Sequence, residues 1–123
     1  IVRTYPDPEI HVVAHSEGTV VALLGLIEGF RAGAPWADRV RGLMTLGSPI
    51  DKHLVLWPPL FAVDAPAGER ARKVVWHNYY DFGDPVGFEL DGARAWMRRR
   101  GWDRVFDFPA AHDHGFSRYP FPG

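Results

Sequence analysis

Residues 12–19 have the sequence Val-Val-Ala-His-Ser-Glu-Gly-Thr, and this stretch decides the fold class of the chain. The run that leads into it is largely apolar and β-branched, which predicts a short buried strand over residues 10–14. From Glu17 onward, apolar side chains recur with the spacing of one helix face: Val20, Leu23, Leu24 and Ile27. Ser16 is therefore predicted to lie in a sharp turn between a strand and a helix.

The rest of the chain continues the alternation of strand and helix. Three later runs rich in apolar residues predict strands over residues 42–46, 73–79 and 103–108. A second amphipathic helix is predicted over residues 89–100, with a buried face that comprises Leu90, Ala93 and Met97. Residues 51–70 are predicted to be irregular, because Pro58 and Pro59 disrupt a regular element. This order of elements indicates an α/β protein with a parallel sheet and crossover helices.

Ser16 has the surroundings that a catalytic nucleophile needs. A turn completed within one or two residues crowds its flanks, and the small residues Ala14 and Gly18 relieve that crowding. The turn holds the Ser16 hydroxyl at the carboxyl end of the strand, where parallel sheets place their active sites. The amino end of the following helix stabilises negative charge that develops on a bound oxygen. The alternative is that Ser16 only caps the helix, as serines commonly do.

Three segments resemble one enzyme family. Residues 14–18, Ala-His-Ser-Glu-Gly, resemble the Gly-x-Ser-x-Gly nucleophile elbow of the α/β-hydrolases, and most closely that of lipases and esterases. Ala14 departs from the first glycine of that pattern. Residues 45–49 resemble the strand end that follows the elbow helix in lipases, which implies a structural role for Ser48. Residues 78–86 resemble the next strand and its loop, where an Asp-Pro-Val sequence carries the acid of the catalytic triad.

The resemblance implies a serine–histidine–aspartate triad in the chain order serine, acid, histidine. Ser16 is the expected nucleophile. Asp84 is the expected acid, because it lies deeper in its loop and Pro85 restricts the backbone around it. Asp81 is the alternative acid, although an aspartate at a strand end also serves to form a turn.

The expected base is His114, in the loop that follows the fourth predicted strand. His112, in the same loop, and a histidine beyond Gly123 are the alternatives. The backbone N–H of Glu17, the residue after the nucleophile, is expected to be one donor of the oxyanion hole. The second donor in this family comes from a loop near the start of the domain, which this chain lacks.

The other histidines are expected to have structural roles. The resemblance implies that His15 packs the elbow, and both His11 and His77 lie within strands. His53 has no evident partner in the sequence. The His112–His114 pair lacks a third and a fourth ligand, so we expect no metal site and no cofactor.

The resemblance covers the second half of the family's domain. Residues 1–123 are therefore expected to form a single partial α/β-hydrolase domain, from the nucleophile elbow to the loop after the last strand, with the early strands missing. The chain begins at Ile1 without a methionine, which suggests a fragment of a longer protein. The strand over residues 10–14 would then expose an apolar edge. We expect that this chain alone is not a stable, competent enzyme.

Composition excludes several other classes of function. Fourteen basic and fifteen acidic residues give a net charge of −1, which offers no electrostatic basis for binding nucleic acid or an anionic membrane. The chain has no cysteine, which excludes disulfides, thiolate metal sites and cysteine nucleophiles. The longest apolar run, residues 20–27, is far shorter than the roughly 20 residues of a membrane-spanning helix.

The sequence supports two functional interpretations. The first is a serine hydrolase that cleaves small-molecule or lipid carboxylic esters, in which residues 54–61 line an acyl pocket or act as a lid. For that segment, a packed surface loop is an equally good interpretation. The second is a non-catalytic or incomplete α/β-hydrolase fragment that serves as a binding or interaction module.

Overall fold

The computed structural model describes residues 8–68, 70, 72–79 and 90–109. Within these residues, four parallel strands form one sheet: β1 (Ile10–His15), β2 (Val40–Leu46), β3 (Val74–Tyr79) and β4 (Phe106–Asp107). The strands lie side by side in chain order. The prediction of an α/β protein with a parallel sheet is confirmed.

Helices connect the strands. The α-helices of the described residues are α1 (Glu17–Ala32), α2 (Ile50–Leu56) and α3 (Asp91–Arg100). Short 3₁₀ helices cover Pro35–Arg39, Pro58–Phe61 and Trp102–Arg104. No helix in this part of the chain has both the length and the apolar character needed to cross a membrane.

Helix α1 follows β1 after the single turn residue Ser16. Its predicted buried face is confirmed at Val20, Leu23 and Ile27, while Leu24 is half-buried. Gly29 lies within the helix and lets the Trp36 ring pack directly against the backbone, because a Cβ atom at this position would collide with the ring. It ends at Gly33, whose left-handed backbone (φ 68°) forms the usual glycine C-cap.

Two sequence predictions about secondary structure are wrong. Residues 51–70 were expected to be irregular, but Ile50–Leu56 forms a helix. Pro58 and Pro59 follow that helix and begin a 3₁₀ helix, a position where the missing proline N–H costs no hydrogen bond. The strand expected over residues 103–108 is reduced to Phe106–Asp107. The fully buried Trp102 precedes it in a 3₁₀ turn and donates its indole N–H to the carbonyl of Val63.

The helices cover one face of the sheet. Strands in sequential order with right-handed crossovers place all their connecting helices on the same side. The covered face carries Leu43 and Trp76, which are paired across β2 and β3 and are both buried. On the opposite face, Val13 is 65% exposed and Val75 is 39% exposed.

Aromatic rings fill the core between the sheet and the helices. Trp76 stacks on Phe108 with ring centroids 4.0 Å apart, and its indole N–H donates to the buried Thr45 hydroxyl. The Trp96 indole N–H donates to the carbonyl of Phe61 at 2.7 Å. These bonds satisfy the polar atoms of large buried rings, as a packed interior requires.

Candidate functional site

The backbone of Ser16 has a conformation that residues other than glycine rarely adopt. Its φ is 53° and its ψ is −127°. Among the described residues, only Leu90 shares a positive φ without being glycine. The N–H of Ser16 donates to the carbonyl of Leu46 at 2.8 Å, so the ladder between β1 and β2 extends to this residue before the chain turns. A strained residue held by its neighbours in this way is a recognised feature of functional sites.

The side chain of Ser16 is not used by the helix that it precedes. Ser16 occupies the N-cap position of α1, yet its hydroxyl makes no capping hydrogen bond. Ser16 is half-buried at the carboxyl end of β1. The predicted strand–turn–helix placement of Ser16 is confirmed, and the alternative of a helix-capping serine is wrong.

A chain of buried hydroxyl groups holds the carbonyl of Ser16. Thr19 Oγ1 lies 2.6 Å from the carbonyl oxygen of Ser16 and 2.7 Å from Ser48 Oγ. The Thr19 hydroxyl has one proton and a carbonyl only accepts, so Thr19 donates to Ser16 and accepts from Ser48. Ser48 Oγ in turn accepts from the N–H of Ile50 at 3.2 Å. Every member is therefore satisfied, and the start of α2 is tied to the turn at Ser16.

Ser48 fits the structural role that the resemblance implied. Both Ser48 and Thr19 have no exposed surface. A hydroxyl enclosed in this way and committed to two hydrogen bonds is not available to attack a substrate.

The side chains of Glu17 and His53 meet between the two helices that adjoin the turn. His53 Nε2 lies 3.1 Å from Glu17 Oε2, and His53 Nδ1 lies 3.1 Å from the carbonyl oxygen of Pro49. The His53 side chain is 15% exposed, whereas the Glu17 side chain is 72% exposed. The Trp57 ring lies beside the imidazole, with centroids 5.3 Å apart.

The two residues that flank Ser16 have different outcomes. Apart from its chain neighbours and the backbone of its own helix, a Cβ atom at Gly18 would meet no atom within 4 Å, and the expected crowding within the turn stays a prediction. His15 is exposed rather than packed against the turn, because its side chain points to the open face of β1. His11 is also exposed, and His77 is half-buried.

The other predicted members of the triad are not placed by the structure. Asp81, Asp84, His112 and His114 all lie outside the described residues. Their assignment as acid and base stays a prediction. Glu17 is the first residue of α1, and the first N–H groups of a helix have no partner within the helix. Its role as an oxyanion donor also stays a prediction.

Residues 54–61 form the end of α2 and the 3₁₀ helix that follows. Leu54 is half-buried and Phe61 is buried against the core, whereas Val55, Leu56 and Trp57 are more than half exposed. The side chains of Leu54 and Phe61 also line a groove between α2 and α3. The inner side of this segment thus packs against the core, while its outer surface is apolar and exposed.

Sequence reasoning missed the contribution of Thr19 and His53. Thr19 lies three residues after Ser16, a spacing that allows a hydroxyl to reach back to the carbonyl. No local signal indicates that His53 meets Glu17, 36 positions earlier, because the contact depends on how α1 and α2 pack. Among the described residues, no cluster of three histidine, aspartate or glutamate side chains is arranged to hold a metal ion.

The fold and the site together define an α/β protein in which a serine with a strained backbone lies between a parallel strand and a helix and does not cap that helix. No family model, no curated protein and no solved structure matches the chain.

Proposed function

We propose that the protein is a serine hydrolase that cleaves carboxylic esters, with Ser16 as the nucleophile. The observation that carries this proposal is the left-handed backbone of Ser16 combined with a hydroxyl that caps no helix. A serine with only a structural role gains nothing from a strained conformation. A nucleophile gains access to substrate at the carboxyl end of the sheet.

In the first step, Ser16 Oγ bonds to the carbonyl carbon of the ester while its proton passes to a histidine base. The carbonyl oxygen becomes negatively charged, and the backbone N–H of Glu17 donates to it at the amino end of α1. The bond to the alcohol oxygen then breaks, and the histidine returns its proton to the departing alcohol. The products of this step are the free alcohol and an acyl group on Ser16.

In the second step, water completes the hydrolysis. The histidine takes a proton from water, the water oxygen bonds to the acyl carbon, and the bond to Ser16 Oγ breaks as the hydroxyl regains its proton. The free carboxylic acid leaves. We assign the base to His114 and its orienting acid to Asp84, on the resemblance of their segments to lipases and esterases. The substrate class is a small-molecule or lipid ester.

The sheet order supports the further proposal that residues 1–123 correspond to the second half of an α/β-hydrolase domain. The serine follows the first strand of the series, and three parallel strands follow in chain order. An elbow strand with its later neighbours has this arrangement. Among the described strands, β1 lies at one edge of the sheet, which leaves its outer backbone edge available for a further strand.

A fluorophosphonate probe tests the proposal directly in the complete hydrolase domain that contains these residues, because the probe labels only an activated serine. The chain has three serines, Ser16, Ser48 and Ser117, and trypsin separates them onto the peptides 4–31, 42–52 and 105–118. Label is expected on peptide 4–31 alone and is expected to disappear in Ser16→Ala. Label on either of the other peptides, or on none, would contradict the proposal.

Kinetics test the same assignment. In the full-length protein, Ser16→Ala is expected to reduce ester hydrolysis by several orders of magnitude, as triad knockouts do. Ser117→Ala, in the same assay, is expected to have no effect. If Ser16→Ala retains most of the activity, then Ser16 is not the nucleophile.

The acid and the base are assigned by paired substitutions. Asp84→Asn is expected to abolish turnover while Asp81→Asn leaves most of it, because only the triad acid holds the imidazole tautomer. His114→Ala is expected to be inactive while His112→Ala is active. A reversal within either pair would move the assignment to its partner.

A non-catalytic binding module is the second candidate. The uncovered sheet face, which includes Val13 and Val75, favours it because an exposed apolar face is a common docking surface. Absence of fluorophosphonate labelling in well-folded protein would favour this candidate over the hydrolase.

A further inference from the structure

The sheet does not fix the direction of the chain after β4. This strand pairs only with Val74 and Val75, the first two residues of β3. β3 continues as far as Tyr79, but the described residues after Asp107 do not extend the pairing. The direction of the chain beyond Asp107 is therefore set by side chains and not by a β-ladder.

Arg94, on α3, holds this part of the chain. Its guanidinium donates to two successive carbonyl oxygens, from Nε to Phe108 at 3.3 Å and from Nη2 to Pro109 at 2.6 Å. The guanidinium also lies over the Phe108 ring, 4.0 Å from the ring centroid. Trp76 of β3 stacks on the same ring, with centroids 4.0 Å apart. The ring and both carbonyls are therefore fixed relative to β3 and α3.

The contacts of Arg94 need an arginine in particular. A guanidinium is planar and presents its N–H donors in a fixed fork, so it bonds two neighbouring carbonyls while its face rests on a ring. The Arg94 side chain is 11% exposed, whereas its carboxylate contact, Asp91 at 3.3 Å, is 80% exposed. An ion pair with an exposed carboxylate contributes little to stability. The contacts with the ring and the two carbonyls are the ones that fix the chain.

We infer that Arg94 is a positioning residue, which sets the direction of the chain after β4 and thereby holds the proposed base within reach of Ser16. His112 and His114 follow Pro109 by three and five residues and lie outside the described residues. A base acts only within hydrogen-bond reach of its nucleophile, so an error in direction at Pro109 displaces the base. Arg94 acts through this segment and does not contact the reacting atoms. The inference rests on the proposed hydrolase function.

The first experiment measures ester hydrolysis by three variants of the full-length protein: Arg94→Met, Arg94→Lys and Arg98→Met. Methionine keeps much of the apolar stem but no donor, whereas lysine keeps the charge without the fork. Arg98 is the matched control, because it lies one turn further along α3 and is exposed. Arg94→Met is expected to lower kcat about tenfold to 100-fold with KM nearly unchanged, the scale of a displacement of about 1 Å. Arg94→Lys is expected to be intermediate, and Arg98→Met to match wild type.

A double-mutant cycle separates positioning of the base from a merely structural role. Hydrolysis is compared in wild type, Arg94→Met, His114→Ala and the double variant, which is measurable because triad variants retain residual catalysis. If Arg94 acts through the base, Arg94→Met has no further effect once His114 is removed. A variant that only disturbs the fold would lower the rate in both backgrounds. The same cycle with His112→Ala tests the alternative base, and non-additivity with either histidine supports the inference.

Urea unfolding of each variant checks that the fold is retained. If Arg94→Met does not fold, Arg94→Lys takes its place in both cycles. Full kcat in a folded Arg94→Met protein, or a loss that is additive with both histidine variants, would overturn the inference while leaving the proposed function intact. Absence of Ser16-dependent hydrolysis in the wild-type protein would instead refute the proposed function, and this inference with it.

Discussion

At the scale of single residues, the site depends on a strained backbone that its neighbours hold in place. Ser16 has the conformation that glycine adopts most easily, and strain of this kind costs about 1–3 kcal/mol. Hydrogen bonds on both sides of the residue offset this strain: the N–H of Ser16 donates to the carbonyl of Leu46, and the carbonyl of Ser16 accepts from the Thr19 hydroxyl. A serine at this position is therefore costly to stability and useful only for its hydroxyl.

Comparison of two substitutions at position 16 measures this strain. Ser16→Gly is expected to be more stable than Ser16→Ala by about 1 kcal/mol, because glycine relieves the positive φ and alanine does not. Both variants are expected to be inactive. Urea unfolding of the two proteins side by side measures the difference. Equal stability would show that the turn is not strained.

The hydroxyl chain from Ser48 to Thr19 makes a second prediction at this scale. Ser48→Ala leaves the Thr19 oxygen and the Ile50 N–H without a buried partner, so a loss of about 1–3 kcal/mol in unfolding free energy is expected. Thr19→Val is expected to cost a similar amount. Because the two residues share one hydrogen bond, the double variant is expected to lose less than the sum of the single losses. Strict additivity in a double-mutant cycle would contradict the chain described here.

At the scale of elements, α2 connects the turn at Ser16 to α3. The N–H of its first residue, Ile50, donates to Ser48, the last hydroxyl of the chain that begins at the turn. Asp51 caps α3, because its carboxylate accepts from the N–H groups of Gly92 and Ala93 at 3.0 and 2.8 Å. Burial raises the pKa of Asp51 above its ordinary value of 3.8, although the two N–H donors oppose that shift. The short helix α2, which the sequence analysis predicted as irregular chain, thus links the turn at Ser16 to the start of α3 by hydrogen bonds.

The raised pKa of Asp51 predicts how stability depends on pH. A carboxyl whose folded-state pKa is raised favours folding in its neutral form. Its contribution is fully present below about pH 3.8 and is lost as the pH rises through the folded-state pKa. Asp51→Asn removes this titration. The unfolding free energy of the variant minus that of wild type is therefore expected to increase with pH across this range.

Urea unfolding at several pH values from 3 to 7 measures that difference. Asp64→Asn is the matched control, since Asp64 is exposed and pairs with Arg100 at the surface. If the difference for Asp51→Asn stays flat, or decreases with pH, then burial does not dominate the ionisation of Asp51.

At the scale of the whole molecule, the sheet is covered by helices on one face only, within the described residues. The sequential strand order causes this, since each right-handed crossover returns to the same side. Val13 and Val20 lie only seven residues apart but in opposite environments: Val13 is 65% exposed and Val20 is 6% exposed.

This contrast predicts different responses to the same substitution. Val13→Ser is expected to change the unfolding free energy by no more than about 0.5 kcal/mol, as exposed positions usually do. Val20→Ser is expected to cost about 2–4 kcal/mol, because it loses buried apolar surface and buries a hydroxyl. Thermal or urea unfolding distinguishes them. A large loss in Val13→Ser would show that the open face of the sheet is covered in solution.

The elements nearest Ser16 were predictable because they depend on neighbours in the chain. The apolar run before Ser16 and the helical spacing after it are local patterns, and α1 and β1 follow them within a residue or two. The helical face of Ala93 and Met97 was predictable for the same reason, and both are buried; Leu90 is buried as well but precedes α3, with a positive φ of 63°.

Hydrophobic periodicity and composition are properties of the chain alone, and they were enough to predict the parallel α/β class, the turn at Ser16 and the exclusion of cysteine chemistry. Three further features depend on tertiary packing: Ser48 supports the turn, His53 meets Glu17 and Asp51 caps α3. Each of these contacts joins residues 29 or more positions apart. The physical reason is that such partners are brought together by the packing of helices on one face of a sheet, and no local spacing in the sequence encodes that packing.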